Sequence, residues 1–175
     1  MKLGALFAGV VLLGAAACTS GDSHPGPAPM TFTATAPQEG ASVFMRAEPP
    51  NVILPNRVVV DVVARGAAEL HGAAFRLTWN TEALAFVEAK SGEPWSKQVF
   101  TMAKEGSPGE LAVVWAEKGE AGIDASGETV LGTITFDVKS RVETAIAFKV
   151  ERSQIVDKKG TRVEAAWSGG RVASR

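Results

Sequence analysis

The chain has 175 residues, 46% of them hydrophobic and 21% charged, with a formal net charge of -1 and a single cysteine. That is one domain's worth of sequence, with enough apolar content to build a core. The near-neutral balance argues against a nucleic-acid surface, which needs clustered Lys and Arg, and one cysteine excludes an internal disulfide.

In chain order, residues 1–17 read as a targeting signal. Lys2 is a minimal positive start, and Leu3 to Leu13 is an apolar run too short for a stop-transfer helix. Ala15-Ala16-Ala17 supplies small residues for processing, and Cys18 follows at once. The arrangement resembles a bacterial lipoprotein lipobox, with Ala15 standing where leucine is more usual. That resemblance implies that Cys18 is lipidated and becomes the first residue, and several acyl chains on one residue anchor a protein stably. The alternative is an ordinary signal peptide that leaves Cys18 as a free thiol. Thr19 and Ser20 come next, with no Asp directly after the cysteine. By analogy with Gram-negative sorting, this implies the outer membrane of the cell envelope.

Residues 18–40 are rich in Pro, Gly, Ser, Thr and Ala, with Pro25, Pro27, Pro29 and Pro37 denying regular structure. This stretch reads as a flexible tether with a root-mean-square reach on the order of 25 Å. The folded domain is expected over residues 41–175.

The first strand is expected around Val43, Met45 and Ala47, ending at Pro49-Pro50, and the second over the Val-rich run from Arg57 to Ala64. From Gly72 to Trp79, Phe75, Leu77 and Trp79 alternate with Ala74, Arg76 and Thr78, the period of two that marks a strand. Asn80-Thr81-Glu82 is a polar corner, and Leu84, Phe86 and Val87 open the fourth strand. Trp95 to Met102 is a weaker fifth, Ser107-Pro108-Gly109 a turn, and Leu111 to Ala116 a strong sixth. After a polar loop from Gly119 to Gly127, Val130 to Val138, Ala145 to Val150 and Arg162 to about Val172 complete the set. Nine short strands without a helix predict an all-β sandwich, with Trp79, Trp115, Phe86, Phe136 and Phe148 as its large core pieces.

This order of pieces resembles the cohesin domains of bacterial cellulosomes. The matching stretches are Ala74-Phe75-Arg76-Leu77-Thr78-Trp79-Asn80 with Leu84-Ala85-Phe86-Val87, then Gly109 to Glu117, then Gly127 to Val138, and the last strand with Gly169-Gly170. Asn80-Thr81 stands where cohesins there show Asp-Pro. The resemblance implies a nine-stranded jelly-roll sandwich, similar also to carbohydrate-binding modules. It implies a non-catalytic module that holds a partner's dockerin on one flat sheet face. The resemblance implies a face built largely from the strands Gly72–Asn80, Trp95–Met102, Leu111–Glu117 and Ala145–Val150, and residue by residue it would present Ala74, Arg76 and Thr78 on the third strand. On the sixth it would present Ala112, Val114 and Ala116, with Glu117 at the end. The sequence supports the sixth strand independently. With Leu111, Val113 and Trp115 in the core, the outward residues are all apolar, whereas a wet face normally carries polar ones. A dockerin-like protein or a component of an envelope or secretion assembly is the expected partner.

Catalysis finds little support. His24 lies in the tether, so a Ser-His-Asp arrangement would rest on His71, and no Gly-x-Ser-x-Gly elbow flanks a serine. Asp124 has no Asp-x-Asp-x-Asp series for calcium, and zinc would need Cys or clustered His. No catalytic residue, metal or cofactor is therefore expected. Lys158, Lys159 and Arg162 read as a solvated hairpin tip. The alternative function is polysaccharide binding, with Trp95 and Trp167 as indoles that could stack on sugar rings if both were exposed.

Overall fold

The computed structural model describes residues 30–47 and 56–174. Cys18, the signal peptide and most of the expected tether lie outside the described residues.

Two sheets face each other. The smaller contains β2 (Ser42–Arg46), β3 (Arg57–Arg65), β5 (Leu84–Ser91), β9 (Thr129–Val138) and β13 (Ala166–Ser168). Its order is β13-β2-β3-β9-β5, with β13 parallel to β2 and the other pairs antiparallel. The larger contains β1 (Met30–Ala34), β4 (Ala67–Thr78), β6 (Phe100–Glu105), β7 (Glu110–Ala116) and β8 (Ile123–Ala125). It is completed by β10 (Thr144–Phe148), β11 (Gln154–Asp157), β12 (Arg162–Val163) and β14 (Gly170–Ser174). The long strand β4 organises this sheet, pairing with β10 and β11 on one side and with β7 and β8 on the other. The class is that of the jelly-roll sandwich expected from the sequence, all-β apart from one 3-10 turn at Val150–Arg152.

Alternation decides which residues meet between the sheets. On β4, Ala73, Phe75 and Leu77 are buried while Ala74, Arg76 and Thr78 are half-buried. On β3, Val58, Val60, Val62 and Ala64 enter the same core. Trp115 is fully buried, edge-on to Phe75 with ring centroids 5.3 Å apart. Its indole lies against β9 at Gly132, where a Cβ would come within 2.6 Å of the ring and 2.3 Å of the Lys90 carbonyl oxygen. Of the expected core residues, Trp79, Trp115, Phe136 and Phe148 are buried and Phe86 packs against them at the margin.

Three expectations need correction. The folded part includes Met30–Ala34, upstream of the expected start at Ala41: β1 pairs with β14, so part of the expected tether is a sheet strand. Pro29 and Pro37 flank the short apolar-β-branched run Met30-Thr31-Phe32-Thr33 and mask it in the sequence. The fifth strand is displaced to Phe100–Glu105, because Trp95 is spent as a core plug, donating its Nε1–H to the Leu131 carbonyl at 2.6 Å. The last strand is broken into β12, β13 and β14, which lets the chain cross from one sheet to the other.

Candidate functional site

The outer face of the larger sheet is set by register. Opposite Gly72, Ala74, Arg76 and Thr78 on β4 stand Ala116, Val114, Ala112 and Glu110 on β7. Opposite Ala116, Val114 and Ala112 stand Phe100, Met102 and Lys104 on β6. On the far side of β4, Val156 stands beside Gly72 and Gln154 beside Ala74. Because the strand period is two, every residue in these rows points the same way, away from the core. Two rows are nearly all apolar: Phe100, Ala116, Gly72 and Val156, then Met102, Val114 and Ala74 before Gln154.

The centre of these rows is hollow. Gly72 has no side chain and Ala74 and Ala116 have short ones, so a depression of about 190 Å³ opens between Val114, Gln154 and Val156. At its edge Phe100 and Met102 are among the most exposed large hydrophobic residues of the described chain, at 46% and 39%. Apolar side chains of this size gain free energy when a partner covers them.

One end of the face is ionic. Arg76 and Lys149 both pair with Glu110, the lysine Nζ lying 2.5 Å from Oε2. The Lys149 and then the Arg76 hydrogen bonds hold the Glu110 carboxyl below the ordinary glutamate range. Lys149 is set there by its own backbone N–H, which donates to the Arg76 carbonyl at 2.8 Å, while Ser153 Oγ accepts from the Arg76 N–H at 3.3 Å.

Six of the residues expected on the face, Ala74, Arg76, Thr78, Ala112, Val114 and Ala116, point outward side by side. Glu117 does not. It is 7% exposed, and its carboxylate accepts from the Ser96 backbone N–H and the Ser96 hydroxyl, both at 2.5 Å. The burial alternation of β7 runs on past Ala116, and Glu117 shares the inward parity of Leu111, Val113 and Trp115. The expected face strands contain Gly72, Phe100 and Met102 without singling them out, and Lys104 and Val156 lie outside them. Strand β6 is exposed on both sides and shows no amphipathic alternation, and Gly72 contributes by what it lacks.

The indoles proposed for sugar stacking do not form an exposed pair. Trp95 is buried, and Trp167 is packed edge-on to Phe148 with centroids 5.0 Å apart. Among the described residues, no group of three or more His, Cys, Asp or Glu side chains is gathered so as to hold a metal ion.

A family model described as "Cohesin domain" matches residues 56–168. No curated protein matches the chain. Among solved structures, the sixth cohesin of scaffoldin B from Acetivibrio cellulolyticus, solved with a mutant dockerin, is 19% identical with a TM-score of 0.66. That match covers 78% of this chain and 99% of the other. A type I cohesin from a cohesin–dockerin complex of Clostridium thermocellum is 12% identical, with a TM-score of 0.61 over 81% of this chain and 98% of that one. A non-cellulosomal cohesin from the archaeon Archaeoglobus fulgidus is 18% identical, with a TM-score of 0.54 over 82% and 89%. With its two-layered sandwich and a family match spanning most of the folded part, the chain belongs to the cohesin domain family.

Proposed function

We propose that this cohesin domain is a non-catalytic binding module that holds a protein partner on the outer face of β4, β6, β7 and β11. The partner is a dockerin-like domain or a component of an envelope or secretion assembly. The observation that carries this reading is the pair of apolar rows, Phe100-Ala116-Gly72-Val156 and Met102-Val114-Ala74, facing outward on an open sheet. An antiparallel sheet with one wet face carries polar residues there unless something covers them. Relatives of the same fold from Acetivibrio cellulolyticus and Clostridium thermocellum were solved in complex with dockerins, which supports a protein as the class of ligand. We further propose that lipidated Cys18 holds the domain at the cell envelope, in the outer membrane where there are two.

The binding claim is tested by pull-down from envelope extracts with wild type and Val114→Asp, followed by mass spectrometry. A charge at the centre of the face should abolish recovery of the specific partner. Equal recovery of every protein by both baits would remove this face from consideration.

A further inference from the structure

The two ends of the face differ, and the difference describes what fits it. Around Gly72 the surface is a small apolar depression of about 190 Å³. A closed apolar cavity of roughly 150 Å³ holds a benzene ring, so this hollow has room for one aliphatic or aromatic side chain. Nothing on the strand fills it, although something could. A Cβ at Gly72 would meet Val156 Cγ2 at 3.1 Å and the Ala116 Cβ at 3.6 Å, contacts a side chain can yield to. The backbone there needs no positive φ, so the hollow is not a by-product of a turn that demands glycine.

Four residues along β4, about 13 Å away at strand rise, the character changes. Arg76, Lys104 and Lys149 gather there against Glu110, three cations to one carboxylate. Glu110 is already shared between two of the cations and is held in its charged form. On a chain whose net charge is only -1, this is a local positive field facing the partner.

Building on the binding face described above, we propose that the partner presents one aliphatic or aromatic side chain to the Gly72 hollow and a carboxylate to the Arg76 end. The two groups lie about 13 Å apart. The apolar anchor fills a pocket, as side chains that carry much of a binding energy do, and the acid fixes direction and register along the strand. A basic segment is repelled at the Arg76 end, and an all-polar one leaves the hollow unfilled.

The test is selection of a phage-displayed library of random 12-residue peptides on the full-length protein, with Val114→Asp as counter-target. Peptides that depend on the face are expected to share a Leu, Ile, Met or Phe and an Asp or Glu at a fixed spacing. Gly72→Val and, independently, Ala116→Leu should each weaken the selected peptide about tenfold by filling or covering the hollow. Arg76→Glu should weaken it by a similar factor and reverse the preference to Lys or Arg. Peptides that need the face but carry basic residues, or no apolar anchor, would overturn this inference and leave the binding face standing. Peptides held equally by Val114→Asp would overturn both. Thermal melts of each variant separate a lost contact from a lost fold.

Discussion

Glu117 and Ser96 are joined by two hydrogen bonds that use both carboxylate oxygens, each 2.5 Å long. The pair fastens the segment between β5 and β6 to the end of β7, and Trp95 fastens the same segment to β9 through Leu131. Strand β6, which brings Phe100 and Met102 to the face, begins just beyond these two fixings. Glu117 is therefore a support of the binding face and not a member of it.

Replacing Glu117 with Ala should destabilise the domain by about 1–3 kcal/mol, the net worth of hydrogen bonds to a charged acceptor. The loosened part should be local, with faster amide exchange over Ser96 to Glu105 than over β3 or β9. A denaturant titration with hydrogen exchange checks both, and uniform loosening of the two sheets would contradict the local role.

Gly132 should resist even a single added methyl. Its Cβ would press on the Trp115 ring and on the backbone of Lys90, neither of which can swing away. Gly132→Ala is expected to cost about 1–3 kcal/mol as overpacking. By contrast Trp115→Ala should cost about 3–5 kcal/mol, because it empties the centre of the core. Chemical denaturation midpoints at constant slope read both values.

Phe100→Ala and Met102→Ala should leave the melting temperature nearly unchanged, within about 0.5 kcal/mol for exposed positions. The same substitutions should reduce capture of the specific partner. A variant that melts early and binds normally would place these side chains in the fold's economy and outside the interface.

Acid should weaken the domain in a defined window. Glu110 is held below its ordinary 4.5 chiefly by Lys149 and then Arg76. Asp157 is held below 3.8 mainly by the Thr161 N–H, and Asp124 below 3.8 by Ser126. A carboxyl whose folded value is depressed favours the folded state above its unfolded value and loses that contribution as pH falls through the folded one. Stability should therefore be flat above about pH 5 and decline below 4.5. In Glu110→Gln the decline should be shallower, as measured by thermal melts from pH 6 to pH 2.5.

Cys18→Ser should move the protein from the membrane fraction to the soluble fraction of fractionated cells. Persistence in the membrane pellet after a high-salt wash would remove the lipid anchor.

How much of this could be read from residues alone depended on how one-sided each strand is. Strands β4 and β7 have a core face and a second face of different size, so Phe75-Leu77 and Leu111-Val113-Trp115 announced both sides at once. Strand β6 is exposed throughout and has no such contrast, so its position was missed by several residues. Glu117 has the inward parity of Leu111, Val113 and Trp115, but its charge hid that: the partner that lets a carboxylate be buried there, Ser96, is twenty-one residues away in the chain. The hollow at Gly72 was illegible for a related reason: its depth depends on Val156 and Gln154, brought in by a strand distant in sequence.

The pairing of β1 with β14 sets a timetable for the molecule. Thr31 reaches the carbonyl of Ala173 across a sequence separation of 142, and Phe32 lies over Gly170, where a Cβ would strike its ring at 2.2 Å. Among the described strands β14 is the sole hydrogen-bonded neighbour of β1. The opening strand thus waits for the closing one, and the sandwich cannot be sealed while the ribosome is still adding residues 170–174.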